Sequence, residues 1–163
     1  MARPSPAPKR RSPRLPWFDY RQPRLYFVTF CTHRKRCTLS RIADGRVHLT
    51  PLGVIVDDAL TALRRRHRWL GVWAHVVMPN HVHALLWLQP GPDGRAPRSL
   101  SAIVGEWKAK ASSTARRRLG VSRIWQRSFH ERIVRDEVQL QVYLAYIEGN
   151  PGSWEEDSLH RAY

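Results

Sequence analysis

The chain has 163 residues, room for one domain with a real core, and its 28 Lys and Arg against 13 Asp and Glu give a formal charge of +15 and a pI near 11.2. Such an excess points to a polyanionic partner, nucleic acid first, and seven tryptophans and five tyrosines supply rings for the core and for stacking on unpaired bases. The only cysteines, Cys31 and Cys37, form neither a CxxC pair nor a disulfide framework, and no run resembles a membrane span or the apolar core of a signal peptide, so a cytoplasmic protein with reduced thiols is expected.

Residues 1–24 hold six of the twelve prolines and seven basic residues against one acid, Asp19. That density blocks helix and ladder alike, so an extended or disordered arm is predicted, serving as a grip on phosphates or as a solubilising tail. Residues 25–163 form the remaining domain. Leu25 to Thr32 is rich in β-branched and aromatic residues and reads as a strand. His33 to Gly45 is polar and turn-rich, and Arg46 to Leu49 reads as a short extra strand.

Thr50-Pro51 has the form of an N-cap followed by proline at the first helical position. Leu52, Ile55, Val56, Leu60 and Leu63 continue at helical spacing toward the basic run Arg64 to Arg68, whose charges suit a helix C-terminus. Val72 to Met78 and His81 to Leu88 read as two strands joined by a tight turn at Pro79-Asn80. Gln89 to Arg98 is a proline- and glycine-rich loop. Ser99 opens a second helix, with Leu100, Ile103, Val104 and Trp107 on one side, which stops before Gly120. A last strand around Glu131 to Val134 leads into a helix capped by Asp136, striped by Leu140, Leu144 and Ile147, and ended by Asn150-Pro151. The order β-α-β-β-α-β plus a C-terminal helix predicts an α+β, ferredoxin-like (RRM-like) antiparallel sheet.

Two short segments carry chemistry. His81-Val82-His83 lies in a strand, where residues two apart share a face, so both imidazoles leave the sheet together. Tyr146 and Asn150 lie four apart on the last helix and share a face. Two histidines, an amide oxygen and a tyrosine hydroxyl are a fitting set for one divalent metal and one phosphate. Tyr143, three residues before Tyr146, partly shares that face and is the rival tyrosine, read as packing or a DNA contact. Asn150 is equally a helix stop with a side-chain cap, and two histidines on a strand are equally the polar face of an amphipathic strand.

The segments MPNHVHALLWL, IWQRSFHERIVRDE and YIEGNP, in this order, resemble the single-tyrosine HUH transposases, in particular the REP-associated tyrosine transposase branch. The likeness runs from about Leu25 to Pro151. It implies a single-stranded DNA endonuclease and strand transferase directed by sequence and hairpin, with Tyr146 as nucleophile and His81, His83 and Asn150 as metal ligands. Mg²⁺ or Mn²⁺ is the implied cofactor, and DNA with hairpin (REP-like) elements is the implied partner in a bacterial, nucleoid-associated setting. Lys108 matches a basic position on the family's second helix, and Trp125, Gln126 and Arg127 match its WQR segment, implying DNA-binding roles; a solvated helix face and a core tryptophan are the competing readings. Monomer and homodimer both fit the resemblance.

His75 precedes the pair and by alternation can face the site, though packing or a surface position suits it as well. His33, His48 and His130 have no spacing partner and read as surface residues. Two alternative functions stay open: a non-catalytic RRM-like nucleic-acid-binding module, whose RNP consensus is missing, and a two-histidine metal hydrolase, which lacks a carboxylate cluster and any HExxH.

Overall fold

The computed structural model describes residues 23–91 and 98–160. The arm expected over 1–24 therefore lies outside them except for its last two residues, as does most of the expected loop at 89–98.

Strand β1 (Arg24–Cys31) occupies the middle of a four-stranded antiparallel sheet, between β5 (His81–Leu88) and the short β6 (His130–Ile133), with β4 (Leu70–Val77) outside β5. The spatial order β4-β5-β1-β6 is the ferredoxin-like one, as the element order predicted. Alternation on β1 divides its side chains between two cores. Tyr26, Val28 and Phe30 join Val82, Ala84 and Leu86 of β5 beneath helices α1 (Pro51–Arg66) and α2 (Leu100–Leu119). Phe27 and Leu85 turn the other way and pack against Leu140 and Ile147 of α3 (Glu137–Gly149). Strand β5 is thus covered on both faces, which is why it reads as a nearly unbroken apolar run interrupted by two histidines.

The helix ends follow their sequence signals. Thr50 accepts the Gly53 N–H at 3.1 Å, Ser99 that of Ala102 at 3.3 Å, and Asp136 that of Gln139 at 2.8 Å. Gly120 closes α2 with φ +66°, the left-handed conformation that glycine adopts without strain. The fully buried Trp107 donates its indole N–H to Val56 O at 2.9 Å, tying α2 to α1.

The stretch read as turn-rich contains a strand, β2 (Ser40–Ala43), paired with β3 (Arg46–Leu49). Asp44 (φ 52°) and Gly45 (φ 67°) form the two-residue connection, with the positive φ at both positions that a type I′ hairpin requires. Strand β4 begins at Leu70 rather than Val72, and a bulge between Val72 and Ala74 throws Trp73 outward against the exposed Trp87, with ring centres 5.7 Å apart.

Candidate functional site

The start of β5 lies opposite the end of β1, with His81 facing Cys31 and His83 facing Thr29 across the ladder. Both imidazoles leave the sheet on the α3 side and are buried, with ring centres 4.4 Å apart. Each is oriented through its Nδ1. His83 Nδ1 lies 2.7 Å from Thr29 Oγ1, and His81 Nδ1 lies 2.7 Å from Asn80 Oδ1. The direction of the Asn80 amide is fixed independently, because its Nδ2 donates to Leu159 O at 2.8 Å and Lys35 O at 3.3 Å. Oδ1 must therefore accept from His81, placing the proton on Nδ1 and leaving Nε2 bare. A partner that holds Nδ1–H while Nε2 looks inward is the arrangement metal-ligating histidines use.

The backbone then folds residues 150–160 over the same spot. Asn150, buried at the end of α3, donates through Nδ2 to Asp157 Oδ2 at 2.9 Å. Asp157 accepts the Leu159 N–H on its other oxygen at 2.6 Å, and its Oδ2 lies 3.8 Å from His81 Nε2. Ligand atoms of His81, His83 and Asp157 all lie within 4.8 Å of one another. His81 Nε2, a bare acceptor, Asn150 Oδ1 and His83 Nε2 are buried polar atoms without a hydrogen-bond partner. A polar atom in that condition is costly unless a ligand satisfies it, and a metal takes the lone pair of a neutral imidazole or an amide oxygen. Three such atoms beside a buried carboxylate fit a divalent cation.

The electrostatics agree. Burial pushes the His81 imidazole down to about 4, with the Asp157 carboxylate opposing and the Lys35 charge assisting. Burial, with the adjacent His81, holds His83 lower still. Both rings are therefore neutral near pH 7 and have lone pairs to give.

Tyr146 stands over this cluster from α3. Its ring centre is 5.1 Å from that of His83, and the residue is 43% exposed. Burial and the Asp157 charge raise its phenol pKa, and a hydrogen bond with the Asn150 side chain pulls the other way. Tyr143 instead stacks flat on Phe27 with ring centres 4.4 Å apart, and its ring serves packing. A cleft of about 370 Å³ opens in front of Tyr146, with walls that include Thr29, His83, Lys35, Gln126, His130 and Leu159.

The remaining sequence candidates divide. Lys108 donates to Gln126 O at 2.6 Å and reaches Ser128 O at 3.4 Å, while Trp125 returns its indole N–H to Lys108 O at 3.2 Å and meets Phe30 edge-on. These two residues bind α2 to the segment entering β6. Gln126 lines the cleft, and Arg127 is exposed beside it in sequence. His75 does not face the site: it lies on the opposite face of the sheet, 2.6 Å from Asp57 of α1. His130, read as an ordinary surface residue, lines the cleft. Cys31 and Cys37 are free thiols, the first buried and the second partly so.

Sequence reasoning missed Asn80, Thr29, Lys35 and Asp157. Asn80 was visible in PNHVH but read only as a turn residue. Asp157 sits in a polar run without periodicity and reaches the histidines only because the chain doubles back after α3.

A tyrosine on the last helix stands over two strand histidines on a ferredoxin-like sheet, and the comparisons with known proteins agree on that fold. The chain superposes with a TM-score of 0.66 on a REP-associated tyrosine transposase whose structure was solved bound to a REP hairpin, at 21% identity over 88% of this chain and 74% of that one. A candidate transposase of Deinococcus radiodurans gives 0.53, at 16% identity over 77% of this chain and 89% of that one. The fold is that of the REP-associated tyrosine transposases. No family model matches the sequence. The chain belongs to one family with an uncharacterized protein of Haemophilus influenzae, to which it is 30% identical over 168 residues, 93% of each chain. No helix among the described residues is long and apolar enough to cross a membrane.

Proposed function

We propose that this protein is a metal-dependent tyrosine transposase that cleaves and rejoins single-stranded DNA beside a hairpin. The observation that carries the reading is the coincidence of three unpartnered buried polar atoms, on His81, His83 and Asn150, with a half-exposed tyrosine that lines one cleft with His83. Such a grouping has no purpose in a core, where each orphaned polar atom costs about 1–3 kcal/mol.

His81, His83 and Asp157 hold the metal, with Asn150 adding its amide oxygen or steering the Asp157 carboxylate through Nδ2. When bound, Mg²⁺ or Mn²⁺ neutralises the non-bridging oxygens of a phosphodiester. Tyr146 supplies the nucleophile: its Oη–P bond forms as the P–O3′ bond breaks, the phenolic proton is lost, and the 3′-oxygen takes up a proton. The products are a 5′-phosphotyrosine and a 3′-hydroxyl, and a second 3′-hydroxyl reverses the step to join new ends. The phenol must lose a proton held more tightly than usual, and the Asn150 amide on its oxygen favours the phenolate.

Gln126 and Arg127 contact the strand at the cleft rim, and Lys108 and Trp125 act by holding that rim in place. The basic arm adds phosphate contacts that position the DNA without reading its sequence. An RRM-like binding module would need the sheet face open for stacked bases, whereas α3 covers it here. The test is cleavage of a single-stranded oligonucleotide carrying a hairpin, with Mn²⁺ and then with EDTA. Cleavage that stops on chelation and in His81→Ala and His83→Ala, with the far-UV circular dichroism intact, supports the proposal. Cleavage at full rate in EDTA refutes it.

A further inference from the structure

The loop leaving β1 places a lysine in the cleft at a backbone cost. Arg34 (φ 57°) and Lys35 (φ 53°) are consecutive non-glycine residues in the left-handed region, each costing on the order of 1 kcal/mol. A dense set of bonds holds the pair there. Lys35 N–H donates to Thr32 O at 3.0 Å, Thr32 Oγ1 donates to Arg36 O at 2.7 Å, and His33 N–H donates to Ile124 O at 2.7 Å. Thr32 N–H reaches Asn80 O at 2.8 Å, and Asn80 Nδ2 returns to Lys35 O. The asparagine that orients His81 thus also fixes this loop.

The side chain so placed lines the same cleft as His83 and Tyr146, and is the one Lys or Arg among the described residues that does. Lys35 is partly buried and makes no ion pair with any carboxylate among the described residues. Its charge is felt by both His81 and Cys31. A cation left unpaired in a cleft, beside a metal cluster that it repels, costs binding of that metal. It makes sense if a second anion comes to the cleft.

We propose that Lys35 is a catalytic residue whose ammonium holds a non-bridging oxygen of the phosphodiester in front of Tyr146. The inference rests on the strand-transferase reading above and adds a contact that metal and tyrosine alone do not supply. A nearby cation fixes the phosphate against the repulsion of Asp157 and stabilises the charge that builds on its oxygens as the phenol attacks.

The experiment compares wild type, Lys35→Met and Lys35→Arg by the rate of covalent adduct formation on a hairpin-bearing single strand, and by Mn²⁺ affinity without DNA. Lys35→Met should slow adduct formation by about tenfold to a hundredfold, the range for one charged hydrogen bond, and Lys35→Arg should recover most of it. Mn²⁺ affinity of Lys35→Met should stay level or rise, since a repelling charge has gone; a loop collapse would lower it. Adduct formation at the parent rate in Lys35→Met, or a loss matched in Lys35→Arg and in Mn²⁺ affinity, overturns the assignment. Absence of any adduct in wild type would instead strike the strand-transferase reading, leaving the two failures distinct.

Discussion

Acidifying the metal-free protein from about pH 7 to about pH 4.5 should destabilise it to an extent that the buried histidine pair sets. An unfolded histidine protonates near pH 6.5, whereas His81 in the fold resists down to about 4 and His83 lower still, chiefly because burial penalises the imidazolium. Between those limits the unfolded chain binds protons that the folded chain refuses, so stability falls as pH falls. The slope is about 1.4 kcal/mol per pH unit per histidine. Across its window from 6.5 to about 4, His81 alone is worth on the order of 3 kcal/mol, and His83 adds to it with the same sign. A typical domain has only about 5–15 kcal/mol in hand. Glu106, whose carboxyl is lowered by His67, Arg66 and Arg98 against the opposing effect of burial, also loses its contribution on acidification, but below its unfolded value of 4.5, so the two contributions separate along the pH axis. The assay is urea denaturation followed by circular dichroism at about pH 7, 6, 5 and 4.5 in EDTA, for wild type and for a His81→Gln/His83→Gln double variant. Wild type should lose stability steeply above pH 4.5, and the double variant should be nearly flat there. A flat wild type, or equal slopes, would mean that the histidines are not held neutral by burial.

Asn80→Ala removes the acceptor that fixes the His81 tautomer and two N–H donors to part-buried carbonyls; it should cost about 1–3 kcal/mol in urea unfolding and weaken Mn²⁺ binding about tenfold to a hundredfold, whereas parent-like affinity would remove Asn80 from the site. Gly53→Ala would gain about 1 kcal/mol on an exposed helix, but a methyl here meets Leu39 O at 1.9 Å, so a loss of about 3 kcal/mol in the same assay is expected, and any gain would show that α1 and the Leu39 segment are not packed this way.

Legibility followed locality. Caps, helical stripes and alternating strands are patterns of near neighbours, so Thr50, Ser99 and Asp136 marked their helices, and the element order yielded the sheet order. The hairpin Ser40–Ala43 with Arg46–Leu49 was half hidden because its first strand is short and polar, although Asp44-Gly45 is a hairpin dipeptide. Motif spacing brought His81, His83, Tyr146 and Asn150 onto the page, and they do converge in space. What spacing does not carry is the return of a chain from afar. Asp157 meets His81 across 76 residues of sequence, and Thr29 meets His83 by ladder register. Lys108 shows the converse: its charge suggests phosphate, and its ammonium is spent on the carbonyls of Gln126 and Ser128.

The central claim is that Tyr146 becomes joined to DNA, and one measurement reaches it directly. Full-length protein is incubated with Mn²⁺ and a single-stranded oligonucleotide carrying a hairpin, denatured, digested with nuclease and trypsin, and examined by mass spectrometry for a tyrosine bearing a nucleotide phosphate. The modification is expected on Tyr146, which is half-exposed and lines the cleft beside His83, and should disappear in Tyr146→Phe with hairpin binding retained. Modification of Tyr143 in its place, or cleaved DNA with no nucleotide on any tyrosine, would contradict the account.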